Sequence, residues 1–271
     1  IQTFAIYTPE RVQRGGRLQV ALQMIDIMYE RILKNESQVG LIRSKNDLER
    51  MGQDTKPHVL LSLEGADALQ GELANLRLFY KLGLRSLGLT WNYSNEAADG
   101  ALEPRAAGLT QFGKNLVTEC RRLGIIVDVS HLTEKGFYDV AELGDEPFIA
   151  SHSNCRAICE HPRNLTDEQI KTIVNQKGGI GVTFVREFLN GDKNEVSMND
   201  LLRHIDHLCS LGAVDHIGIG SDFDGCFPVE GMEHGGKFGD LSDFLLKHYS
   251  ESQVKGFMGE NWLNVYKSIL K

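Results

Sequence analysis

Val59-Leu60-Leu61-Ser62-Leu63-Glu64-Gly65 is the stretch on which the reading of the chain turns. Residues 59–63 are almost wholly apolar and do not alternate, and the run is far shorter than a helix. A short continuous apolar run of this kind is a strand covered on both faces, as in a parallel sheet. It ends on a carboxylate and a glycine. Similar runs lie at 3–7, 86–90, 125–129, 148–151, 180–185 and 217–220, which makes seven strands.

Amphipathic segments separate them. Residues 18–33 place Leu18, Leu22, Ile25, Tyr29 and Ile32 at helical spacing, and 69–82, 113–123, 167–176 and 198–211 repeat the pattern. A last helix begins at Ser250, with Gln253 completing a capping box, and runs to about residue 269. Strands that alternate with helices give a parallel sheet with right-handed crossovers. At 271 residues the chain has the length of one α/β barrel. The expected fold is therefore a single (β/α)₈ TIM-type barrel that makes one α/β domain over residues 1–271. Seven strands are one short of a closed barrel. Because Ile1-Gln2-Thr3-Phe4-Ala5-Ile6-Tyr7 already reads as a strand, the missing first strand is expected upstream, in a segment absent from an N-terminally truncated chain.

Apolar residues make up 41% of the chain and charged residues 24%, ordinary values for a globular protein with a large core. A net charge of −8, spread along the chain, argues against nucleic acid or an anionic membrane as partner. No run of about 18 apolar residues spans a membrane. Five cysteines with no CxxC spacing fit buried or partly buried free thiols in a reducing, cytoplasmic setting.

Barrel enzymes carry their chemistry at the C-terminal ends of their strands. Here those ends read Leu63-Glu64-Gly65, Asp128-Val129-Ser130-His131, Ser151-His152-Ser153 and Gly220-Ser221-Asp222-Phe223-Asp224-Gly225. Glu64, His131, His152 and Asp222 are donors suited to a divalent ion that keeps one position open for water. Each has a plainer reading: a strand-end histidine as a hydrogen-bonded residue, Glu64 as a surface acid, Asp222 and Asp224 as an Asx turn with Gly225. Arg163 alone reads as a surface ion pair. His161, His204, His207, His216, His234 and His248 read as solvated or hydrogen-bonded, and Phe184 and Trp262 as core. Residues 227–239 read as a loop beside the site.

Taken with Arg163-Asn164 and the closing Gly259-Glu260-Asn261-Trp262-Leu263, these strand ends resemble the membrane (renal) dipeptidase family of zinc peptidases along essentially the whole chain. The resemblance implies two zinc ions bridged by Glu64, with His131 and His152 on one and Asp222 beside the other as general base. Arg163 would bind the substrate carboxylate or the oxyanion, and the protein would be a homodimer. It implies hydrolysis of dipeptides, including those with a D-residue at the C-terminal position. Two departures stand out. The family's first strand ends in a His-x-Asp pair that serves the second zinc, whereas the first histidine here is His58. The second site is then compromised, and this fragment is expected to be inactive. Animal members carry histidine where Trp91 stands, and Trp91-Asn92, expected to contact substrate, look more like bacterial members. Two other readings remain open from the residues: another barrel hydrolase of lactonase, deaminase or phosphotriesterase type, and a non-catalytic barrel that has lost its metals.

Overall fold

The computed structural model describes residues 1–35, 37–53, 55–192 and 195–271, which divide into two compact units. The first comprises Ile1–Glu146 with Tyr266–Lys271, and the second Pro147–Val265.

In the first unit, β1 (Gln2–Tyr7), β2 (Gly40–Leu41), β3 (His58–Glu64), β4 (Leu84–Gly88) and β5 (Ile126–Asp128) are all parallel. β3 pairs with β1, β4 pairs with both β3 and β5, and the registers match Tyr7 to Glu64, Glu64 to Gly88 and Gly88 to Asp128. The C-terminal ends of four strands thus lie in one row, with Glu64 in its middle. Val59 faces Gln2 on one edge of β3 and Leu41 on the other. β2 is a strand the apolar pattern does not reveal, since two residues make no run. The helices Arg17–Met28, Leu73–Lys81, Gln111–Leu123 and Glu134–Glu142 connect the strands. Thr110 and Thr133 cap the last two by accepting from the N–H groups of Gly113 and Gly136, both at 3.0 Å.

In the second unit, β6 (Ile149–Ala150), β7 (Gly179–Val182) and β8 (Ile217–Ile219) are parallel, with Ile149 against Gly179 and Val182 against Ile219. Capping boxes start the helices Asp167–Asn175 (Thr166 with Gln169) and Met198–Ser210 (Ser197 with Asp200). Among the described residues the seven expected strands are all present, trimmed by one to three residues at one or both ends in most cases.

The closing helix differs from expectation. Ser250 and Gln253 form the capping box, but the helix Glu251–Lys255 widens over Gly256–Glu260 and breaks at Gly259 before Asn261–Ile269 begins. The break turns two polar side chains onto β8 and the turn before it: Asn261 Nδ2 donates to the carbonyls of Val214 (2.9 Å) and Ile217 (2.7 Å), and Trp262 Nε1 to that of Ile219 (3.1 Å). Trp262 is therefore half-buried packing with a satisfied indole N–H, while Phe184 is fully buried as expected. Residues 227–239 are a loop only in part, because a turn at Gly235–Lys237 opens the helix Phe238–Leu245. No helix of the described residues is long and apolar enough to cross a membrane.

Candidate metal centre

The parallel ladder brings Glu64 and His131 together. Glu64 closes β3, and His131 stands three residues past the end of β5. Glu64 Oε1 lies 3.0 Å from His131 Nε2. The other ring nitrogen, Nδ1, lies 3.0 Å from Oδ1 of Asn92. An amide oxygen can only accept, so Nδ1 carries the proton and Nε2 presents its lone pair or second proton to the carboxylate. His131 is buried, with its ring 6.1 Å from that of Trp91, which in turn sits 5.1 Å from Tyr7.

A folded loop supports this arrangement. After β4 the chain runs through Trp91 and Asn92 and returns so that the N–H of Leu102 donates to the Asn92 carbonyl (2.9 Å) and that of Ala101 to the His131 carbonyl (2.7 Å). Gly100 permits the return, since a Cβ there would lie 2.1 Å from the Trp91 carbonyl oxygen. Asp99, almost fully buried, accepts from Arg105 Nε (2.9 Å) and the Ala107 N–H (2.8 Å). The Arg105 hydrogen bond holds its carboxyl below the usual range. Behind Glu64, Gly65 adopts φ +90 and Asp67 is clamped by an ion pair to Arg17 and by Asn95 Nδ2 at 3.1 Å.

Sequence reasoning missed Tyr7, Asp67, Asn95 and Asp99 as supports of the site. Tyr7 carried a readable signal, since it ends a strand as Glu64 does. Burial first, then the nearby Glu10 and Glu64, pushes its hydroxyl above the ordinary phenol range, so it stays a hydrogen-bond donor. Asp67 bonds to Arg17 and Asn95, both distant in sequence, and left no local pattern, while the short-range bonds of Asn95 and Asp99 lie in a loop with no periodicity to read.

In the second unit, His152 follows β6, with Nδ1 2.7 Å from the Ser151 hydroxyl. Two glycines let the neighbouring strands close onto this point. A Cβ at Gly181 would lie 1.8 Å from the Ser151 carbonyl oxygen, and one at Gly220 would lie 1.9 Å from the same atom and 3.0 Å from His152 Cα. Asp222 lies two residues beyond Gly220 in left-handed backbone (φ +59), as does Asp224 (φ +66), and the Gly225 N–H donates to the Asp222 carbonyl at 3.2 Å. The turn at 222–225 is closed by backbone atoms, the Asp222 carbonyl accepting the Gly225 N–H, where the sequence reads as a side-chain Asx turn. It holds Asp222 off the strand direction at a backbone cost of order 1–3 kcal/mol.

Arg163 corrects its plainer reading: it is only 3% exposed, with its guanidinium carbon 5.4 Å from the centre of the Phe188 ring, and is no surface residue. His204 is fully buried rather than solvated. Its Nε2 donates to the Leu189 carbonyl (3.0 Å) and its Nδ1 accepts the Cys155 N–H (3.1 Å). All five cysteines are free thiols, three buried and two half-buried.

A carboxylate oxygen and an imidazole nitrogen at this separation form a candidate metal site. Two donors on one zinc, at bonds of about 2.0–2.2 Å and a tetrahedral angle, stand about 3.3–3.6 Å apart. The observed 3.0 Å is a few tenths of an ångström short of that span, and the Asn92 bond supplies the outer support that metal-binding histidines need.

Known proteins agree in sequence and fold. A protein in the pqqA 5′ region of Klebsiella pneumoniae is 32% identical over 265 residues, covering 94% of this chain and 98% of its own length. The solved dipeptidase AC, a metallopeptidase of family M19, superposes with a TM-score of 0.93 at 33% identity over 99% of this chain and 85% of that one. A metallopeptidase from Rhodobacter sphaeroides, solved with a phosphinate mimic of L-Ala-D-Ala, gives a TM-score of 0.93 at 31% identity over 98% and 86%. An organophosphorus hydrolase from Deinococcus radiodurans shares only the barrel-hydrolase fold, with a TM-score of 0.51 at 10% identity over 100% and 91%. The model of the membrane dipeptidase family, peptidase family M19, matches residues 1–271, and the chain belongs to that family of peptide-cleaving metalloenzymes.

Proposed function

We propose that this chain is a zinc dipeptidase in which Glu64, His131, His152 and Asp222 hold the metal and Arg163 holds the free carboxylate of the substrate. The observation that carries the reading is the Glu64–His131 pair, with donors 3.0 Å apart and the far ring nitrogen fixed by Asn92. The match of the family model to residues 1–271 supports treating the whole chain as one catalytic domain.

A bound zinc would polarise the scissile carbonyl and lower the pKa of a water to near 7. The chain's own residues do the remaining work. Glu64 would be the carboxylate that holds the metal beside His131. Asp222, set apart by its left-handed turn, takes the proton of the attacking water on a carboxylate oxygen and delivers it to the leaving amine. Arg163 offers a planar fork of N–H donors to a carboxylate, in surroundings where burial strengthens the attraction. That recognition makes a dipeptide the natural substrate, since the free carboxylate then lies one residue from the scissile bond. A D-residue at that position is part of the proposal, supported by the ligand of the Rhodobacter structure.

The test is incubation of zinc-supplemented protein with L-L and L-D dipeptides, with release of free amino acids as the readout. Turnover that disappears in a Glu64→Gln variant supports the proposal. Rates no higher than that variant for both dipeptide classes would overturn it.

A further inference from the structure

Residues His161-Pro162-Arg163-Asn164 follow β6 as one tightly bonded unit. Asn164 is 1% exposed; its Nδ2 donates to the carbonyls of Cys159 (2.9 Å) and Phe188 (2.8 Å), and its Oδ1 accepts the Asn154 N–H (3.1 Å). These bonds fasten the unit to the backbone of the short helix Arg186–Leu189 at Phe188. The His161 ring packs on the Phe188 ring at 4.4 Å between centres, and its Nδ1 accepts the Arg163 backbone N–H at 3.2 Å. Arg163 is buried, and its guanidinium carbon lies 5.4 Å from the same Phe188 ring, within the range of a cation–π contact.

The imidazole is kept neutral here. Burial first, then the Arg163 charge, lowers its pKa, with Arg156 adding to the effect and Glu187 opposing it. A neutral ring that accepts at Nδ1 carries its proton on Nε2. It can therefore support the Arg163 backbone without repelling the guanidinium by a second positive charge.

We propose that His161 and Phe188 are positioning residues that fix the plane of the Arg163 guanidinium, and so set the preference for substrates with a free C-terminal carboxylate. This rests on the function proposed above, in which Arg163 reads that carboxylate. A carboxylate gains two parallel hydrogen bonds only from a guanidinium held in the matching plane. Phe188 offers its π face to the guanidinium at 5.4 Å, and His161 packs on the same ring and steadies the backbone from which Arg163 springs.

The experiment compares kcat and KM for Ala-Ala and for its C-terminal amide in zinc-supplemented wild type, Arg163→Met, Phe188→Leu, Phe188→Tyr and His161→Ala. Phe188→Leu and His161→Ala are expected to lower the acid-to-amide ratio of kcat/KM by about tenfold, through a higher KM for the acid and little change for the amide. Phe188→Tyr, which keeps the ring, is expected to retain the wild-type ratio. An unchanged ratio in Arg163→Met would sink the carboxylate reading itself. A collapsed ratio in Arg163→Met with wild-type ratios in Phe188→Leu and His161→Ala would overturn only this inference. Equal losses for acid and amide would also overturn it, because they mark a merely structural role. If one of the two variants fails to fold, the other carries the same test. Isothermal titration with the reduced-amide isostere of Ala-Ala and its amide reads the same ratio without turnover.

Discussion

Asn92 fixes the tautomer of His131: its side-chain oxygen takes the Nδ1 proton at 3.0 Å, which turns Nε2 toward Glu64. Outer hydrogen bonds of this kind contribute about 10–100-fold to metal affinity. Asn92→Ala should therefore weaken zinc binding by about that factor, while Asn92→Asp, which keeps an acceptor, should lose far less. Competition with a chromophoric chelator measures both. Equal affinity in wild type and Asn92→Ala would show that His131 needs no such support.

The loop that carries Asn92 depends on Asp99. Its carboxylate is buried, yet it accepts two bonds from Arg105 and one from the Ala107 N–H, and its carbonyl accepts from Thr133 at 3.3 Å. Asp99→Asn swaps an acceptor for a donor that faces other donors. A loss of about 1–3 kcal/mol in urea unfolding is expected, and the Arg105 partner, largely exposed, keeps it toward the lower figure. The sign of the pH effect follows from the lowered carboxyl pKa. The contribution is present above the ordinary value of 3.8 and is lost as pH falls below it. Identical acid unfolding curves for wild type and Asp99→Asn would refute it.

Strand ends were legible in the sequence because double-sided burial writes continuous apolar runs, and each run stops where the rim begins. Glu64, His131, His152 and Asp222 are the candidates read at those ends. What holds them was not legible. Asn92 meets His131 across 39 residues, and a hydrogen bond of that span leaves no periodic trace. Arg163 read as a surface residue because the Phe188 ring that covers it comes from another element. β2 is too short to form a run. The break at Gly259 was hidden by a good helical pattern, overridden by the two carbonyls of the β8 region that Asn261 satisfies.

Gly181 is a position where added bulk must move backbone. A Cβ would meet the Ser151 carbonyl oxygen at 1.8 Å and Gly220 Cα at 3.0 Å, next to His152. Gly181→Ala should cost about 1–3 kcal/mol or more in urea unfolding and weaken zinc binding together with it. Gly191 has open space around the same added atom, so Gly191→Ala should stay within about 0.5 kcal/mol of wild type. Equal stability of the two variants would contradict the close approach.

His204 predicts a stability loss on mild acidification. Burial lowers its pKa from 6.5 to about 4, and both ring nitrogens are engaged in a pattern that only the neutral form satisfies. The unfolded chain binds a proton near pH 6.5, and the folded chain does not until about pH 4. Between those values the unfolded state holds more protons, so stability rises with pH across the window and falls when it is traversed downward. The neutral-histidine contribution is whole above pH 6.5 and gone below about pH 4, a span worth about 3 kcal/mol at most. The charges of Arg203 and Asp200 and the neighbouring His207 act on the same ring, so the measurement is a difference. His204→Gln keeps a neutral polar side chain that does not titrate, and it should be less stable than wild type at pH 7. The gap in unfolding free energy between the two should close by about 3 kcal/mol as pH drops from 7 to 4. A gap that stays constant across that range would mean that His204 takes up its proton at the same pH in the folded and the unfolded chain, and the assignment of its two hydrogen bonds would fall with it.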